Sequence, residues 1–238
     1  MMTKQCPDVH AWKLDKKYRS GSGWQRLRLA VETLATQGIS VRQEAIDWMA
    51  DDLGISPGGG ALKNFWRELP ETGLVHVEAM PLIGPSKITL IRLTNFGRDL
   101  AWTLGINVVE SEWDTLRRLH DGDAQTRHTA CVLMAAYQAR RSWYSVDVLP
   151  KTPIGEPDLK IYGDAAPSLF VEVELGHGKA EKWRHQYKLQ GRAALIALTA
   201  ARRAGLMREC QELGLAGCAT DIETLCQGGL AFWAEVWG

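Results

Sequence analysis

The chain has 238 residues, 45% hydrophobic and 24% charged, which suits one large domain or two small ones with separate cores. Its 28 basic and 28 acidic residues cancel, so it lacks a global basic signature of nucleic-acid binding, and its five scattered cysteines contain no CxxC pair for zinc or redox chemistry. Neither a signal-peptide core nor an apolar run near the ~20 residues of a membrane span is present, so the expectation is a cytoplasmic protein with no membrane partner.

The charge is unevenly spread. Residues 1–28 carry Lys4, Lys13, Lys16, Lys17, Arg19, Arg26 and Arg28 against Asp8 and Asp15. Such an arm suits supplementary phosphate contacts and, equally, a solvated tail. Next, Leu27, Ala30, Val31 and Leu34 recur at helical spacing, predicting a helix over 24–37 closed by Gly38. Ser40-x-x-Gln43 fits a capping box, with Ala45, Ile46, Met49 and Leu53 as the apolar face of a second helix. A third is expected from Ser56 and Pro57, burying Leu62, Phe65, Trp66 and Leu69. Two alternating runs, 73–78 and 87–93, then read as a hairpin, followed by a short helix ending near Leu104.

This order, with Leu69-x-x-x-Gly73-Leu74-Val75 and Leu93-Thr94-x-x-Gly97, resembles the winged helix-turn-helix family over about residues 22–105. The resemblance implies a third helix in the major groove, with Lys63, Asn64 and Arg67 as groove candidates and Lys87 on the wing. Gly58-Gly59-Gly60 departs from the pattern where base-reading side chains often sit. Many winged helices instead mediate dimerisation or dock onto a neighbouring domain.

After a junction at 106–110, helices are expected over 112–119 and 125–141 around the turn Asp121-Gly122-Asp123. A strand over 143–148 and a loop with Pro150 and Pro153 lead to a strand at Asp158. In the next strand Leu169, Val171, Val173 and Leu175 alternate with Phe170, Glu172 and Glu174. Two adjacent carboxylates on one strand face repel, and a cation resolves that conflict. Magnesium takes oxygen ligands and keeps several waters, so Asp158, Glu172 and the nearby Glu174 suffice in number. A helix over 180–190, a buried strand at 195–198, a helix over 202–213 and a last strand at 217–220 complete the chain. In the first of these, Lys179, Lys182, Gln186 and Gln190 form a polar stripe able to reach over the carboxylates toward phosphate. Trp183 and Tyr187, opposite, read as packing.

Pro157-Asp158 with Glu172-x-Glu174, in a helix–three strands–helix–strand order, resembles the PD-(D/E)xK nuclease superfamily over about residues 110–225. The implied fold is α/β: a basic arm (1–21), a winged helix-turn-helix domain (22–105) and a restriction-endonuclease-like mixed-sheet domain (106–238). The resemblance implies Asp158 and Glu172 as ligands of Mg²⁺ or Mn²⁺, the Val173 carbonyl as a further ligand, and Glu174 as a ligand or water-orienting base. The family's lysine is absent from its usual place, occupied here by Glu174, and Lys160 or Lys182 would substitute. The segment from Glu172 to Gly176 with Lys182 and Tyr187 downstream also resembles replication-relaxation proteins, a comparison that His128 suits. His120, His128 and His177 have no partner visible in the sequence. The implied function is metal-dependent cleavage of double-stranded DNA, with a homodimer or protein partner where two cuts are made. The competing expectations are a catalytically inactive DNA-binding regulator or plasmid or phage replication accessory protein, an RNA-cutting effector, and a solvated strand edge with no site at all.

Overall fold

The structure is a computed structural model in which residues 14–119, 125–152, 156–163, 166–176, 180–229 and 231–238 are described. Lys4, Asp8 and Lys13 of the expected arm, His120, the 121–123 turn, Pro153, His177 and Lys179 lie outside these residues. The chain mixes helices with a two-stranded and a six-stranded sheet, as an α/β protein should. It divides into two compact units, Met1–Ala79 with Thr89–Thr115, and Met80–Ile88 with Leu116–Gly238.

In the first unit α1 (Gly21–Gln37), α2 (Arg42–Leu53), α3 (Gly60–Glu68) and α4 (Asn95–Thr103) accompany the inner ends of β1 (Val75–Pro81) and β2 (Lys87–Leu93). Their apolar faces meet in one core, which includes Leu27, Leu34, Met49, Leu62, Trp66, Leu74 and Leu100. Leu14 and Tyr18 are also buried there, with Tyr18 edge-on to Phe65 and Lys17 Nζ 2.6 Å from Glu68 Oε2. From Leu14 onward the expected arm is therefore anchored to the core by Leu14 and Tyr18, with Asp15, Lys16 and Lys17 left exposed.

Two boundaries differ from expectation. Ser40 does not cap α2. Val41 pairs with Leu90 as an antiparallel bridge, and Ser40 accepts Ile91 N–H on its carbonyl and Trp113 N–H on its Oγ. That extended pairing holds 40–41 out of the helix, which starts at Arg42. α3 begins at Gly60 rather than at Pro57, after a turn in which Gly59 N–H bonds the Ser56 carbonyl. Three consecutive glycines lose too much chain entropy to open a helix early. Thr94 caps α4 by accepting Gly97 N–H at 3.1 Å.

The division falls within α5 (Glu112–Leu119); in the second unit comes α6 (Thr126–Arg141), in which every residue from Thr129 to Ala139 is buried. The sheet runs β3 (Ser145–Val148), β4 (Leu159–Gly163), β5 (Ala166–Glu174), β6 (Ala193–Ala197), β7 (Gly217–Asp221) and β8 (Glu235–Trp237) in spatial order. β3, β4 and β5 are antiparallel, whereas β5, β6 and β7 are parallel through crossover helices α7 (Ala180–Gln190) and α8 (Ala200–Glu212). The parallel centre β6 is buried at all positions, as a strand covered on both faces requires. α6 packs on β3, β4 and β5, while α7 and α8 pack on β5, β6 and β7.

Gly217–Asp221 is not the last strand: α9 (Ile222–Gln227) and antiparallel β8 follow, each too short to leave a periodic pattern. The strand expected from Trp143 starts at Ser145, because Trp143 takes a left-handed φ of 66°. No helix among the described residues is long and apolar enough to cross a membrane.

Candidate active site

The register of β4 and β5 brings the carboxylates together. Leu159 faces Val171 and Lys160 faces Phe170, so the next pair along the ladder is Asp158 and Glu172. Opposed residues of an antiparallel pair share a face, and alternation puts Glu174 on it too. α7 leaves β5 and packs back on it, carrying Lys182 in its first turn. The first turn of α6 supplies His128.

Lys182 Nζ lies 2.9 Å from Glu172 Oε2 and 3.8 Å from Glu174 Oε2. Asp158, 3% exposed, accepts Val173 N–H on Oδ2 at 2.8 Å. Its Oδ1 is 3.4 Å from His128 Nε2, which is also 3.1 Å from the Val173 carbonyl. A carbonyl only accepts, so Nε2 carries the hydrogen.

Burial raises Glu172, Lys182 lowers it and the Asp158 charge raises it again, leaving its carboxyl pushed up to about 7. Burial also works against charge on Asp158, but the His128 hydrogen bond and charge and the Val173 N–H outweigh it and hold Asp158 below the usual carboxylate range. His128 is the reciprocal case: burial lowers it, yet Asp158 and the Val173 carbonyl leave it above its ordinary value. Lys182 is lowered by burial and raised further by Glu172, Asp158 and Glu174, with a net upward shift. Lys182 therefore keeps its charge at neutral pH beside Glu172, the carboxyl whose burial most opposes ionisation.

The two lysine candidates separate in space. Lys160 places its ammonium 5.3 Å from the Tyr162 ring centre and 5.9 Å from that of Phe170, an aromatic setting, while Lys182 takes the carboxylates. Gln186, expected to face nucleic acid, commits its amide to backbone groups. It is 5% exposed; its Nε2 donates to the Phe170 and Ala194 carbonyls and its Oε1 accepts Ala194 N–H. The β5–β6 ladder opens only at Glu172 and Leu195, and these amides fill the gap before it. Trp183 is fully buried in the core, as expected. Lys63, Asn64 and Arg67 are exposed on α3, opposite buried Leu62, Phe65 and Trp66, and belong to the first unit. Lys87 is exposed and belongs to the second. Cys131, Cys210 and Cys218 are buried free thiols, pushed up to about 12 by burial.

His128 is the residue whose partners the sequence did not reveal. The one available signal is a histidine in the exposed first turn of an otherwise buried helix, which is weak. Its bond to Val173 falls on the carbonyl expected as a metal ligand, occupying one of that oxygen's two lone pairs. Among the described residues no three His, Cys, Asp or Glu side chains converge as a ready cation cage. Comparison with family models, with curated proteins and with solved structures returned no match.

Proposed function

We propose that the second unit is a restriction-endonuclease-like nuclease centre and that the first is a winged helix holding the DNA it cuts. The observation that carries this reading is the Lys182 ammonium 2.9 Å from Glu172, beside Asp158. It supplies from α7 the lysine that the Glu172-x-Glu174 motif lacks. The exposed Lys63, Asn64 and Arg67 on α3 support the second half of the reading.

Asp158 and Glu172 fit a hard divalent cation such as Mg²⁺ or Mn²⁺, which takes oxygen donors and retains water. A carboxyl held at about 7 by burial and a neighbouring charge is a donor that such a cation would relieve. Bound there, it would lower the pKa of a water and offset charge on the scissile phosphate. The chain's own groups divide the rest. His128 and Val173 N–H keep Asp158 ionised and fix its orientation. Lys182, protonated at neutral pH, holds Glu172 and is placed to meet phosphate oxygens or orient water. Glu174, reaching the same ammonium, is positioned to accept a proton from that water.

The test is supercoiled plasmid and a short duplex with Mn²⁺ or EDTA, using wild type, Asp158→Ala and Glu172→Ala. The expected result is metal-dependent nicking or linearisation, reduced about 100-fold or more in both variants. Wild-type rates in either variant would sink the assignment. A second reading, a catalytically inert DNA-binding regulator or replication accessory protein, draws on the lack of a three-ligand cage among the described residues. Intact DNA with a retained mobility shift would favour it.

A further inference from the structure

Beside the carboxylates lies an open cavity of about 360 Å³, within the range of small-ligand pockets. Glu172 and Lys182 belong to its wall as well as to the site, so whatever fills it adjoins the reacting phosphate. Its charged lining is Glu156, Glu172 and Glu181 against Lys182 and His185. Lys182 is shared with Glu172 at the edge facing the reacting phosphate, and Glu156 and Glu181 add carboxyls to the same wall. That lining favours a neutral group bearing N–H donors over a second phosphate.

The remaining wall combines Thr152 and Gln186 with three apolar side chains. Phe170 lines the cavity with Pro157 and Leu189. Its backbone is clamped by both glutamines: its N–H bonds Gln190 Oε1 at 2.6 Å, and its carbonyl accepts from Gln186 and Gln190 at 2.6 and 2.9 Å. A ring on so firmly held a backbone is a preformed stacking surface. A flat neutral ring bearing exocyclic N–H donors suits an aromatic wall and a carboxylate rim, and a nucleobase has that chemistry.

We infer that this cavity takes one unstacked nucleobase of the strand being cut. The substrate is then single-stranded or locally opened nucleic acid, not closed duplex, because a base inside a duplex cannot leave its stack without a cost of a few kcal/mol. The inference rests on the nuclease reading, which places the scissile phosphate next to the cavity.

The experiment uses wild-type protein in EDTA and an oligothymidine carrying one 2-aminopurine, offered as single-stranded DNA, as closed duplex, and as the oligouridine equivalent. Stacking in the cavity should quench the probe several-fold in a single strand and leave the duplex probe unchanged. Quenching in the DNA strand, the RNA strand or both supports the cavity and identifies the sugar it tolerates. Phe170→Leu should abolish quenching and weaken single-strand binding on the order of 10-fold. Should that variant unfold, Leu189→Phe, which fills the cavity from α7, must give the same loss. Equal quenching in duplex, quenching that survives loss of the ring or filling of the cavity, or no binding to any oligonucleotide would overturn the inference. Cleavage is scored separately with Mn²⁺. Metal-dependent cutting without quenching removes the base cavity and leaves the nuclease, whereas quenching without cutting keeps the cavity and removes the nuclease.

Discussion

Replacing Glu172 by glutamine removes a carboxyl that the fold holds at about 7 instead of 4.5. At 1.36 kcal/mol for each pKa unit, ionising that group in place costs about 3 kcal/mol. The folded state keeps a proton that the unfolded chain has already released, so this stability is complete below 4.5 and lost as pH rises through about 7. Wild type and Glu172→Gln should therefore unfold with similar free energies near pH 4.5. The variant should gain up to about 3 kcal/mol over wild type by pH 8.5. His128, raised in the fold, also loses its contribution as pH rises, but it does so in both proteins and largely cancels in the difference. The assay is urea unfolding in EDTA from pH 4.5 to 8.5, with hydrogen exchange at the buried β6 amides as the local readout. A difference that stays flat with pH, or that favours wild type at high pH, would refute the reasoning. It would mean that Lys182 stabilises the Glu172 carboxylate by more than burial and Asp158 oppose it.

Lys182→Met should slow metal-dependent cleavage about 100-fold and push Glu172 higher still, since Lys182 is the influence that lowers it; the pH–rate profile checks both. Gln186→Leu should cost about 2 kcal/mol by stranding both backbone groups of Ala194, the Phe170 carbonyl keeping its Gln190 donor, while duplex affinity measured on the folded fraction stays unchanged. A selective loss of affinity with no loss of stability would make Gln186 a nucleic-acid contact. Lys63→Ala with Arg67→Ala should weaken duplex binding and reduce the slope of log affinity against log salt by about 2, leaving unfolding almost unchanged. An unaltered salt slope would take α3 away from DNA.

The carboxylate pair was legible because strand alternation is a local property. Val171 and Val173 point one way and Glu172 and Glu174 the other whatever the rest of the chain does, and Asp158 follows a proline just ahead of its own strand. The helices of the first unit were readable for the same reason, with failures where a distant partner intervened. Ser40 resembles a cap in sequence, but its oxygens are claimed by Ile91 and Trp113 from later in the chain.

The choice between lysines was not legible. Lys160 lies close to Asp158 along one strand, yet its ammonium rests by two aromatic rings, whereas Lys182 is returned to the carboxylates by a parallel crossover. His128 arrives from a helix separated from Asp158 by the whole of β3. Gln186 and Gln190 form a polar stripe that spacing alone cannot tell from a ligand-facing one. Only the late start of the β5–β6 ladder shows that it satisfies backbone groups left open. Sequence by itself thus determined the periodic faces and the residues whose charge demands company. Tertiary structure decided which company they keep, because Coulomb energy, hydrogen bonding and desolvation depend on separation through space and not on position along the chain.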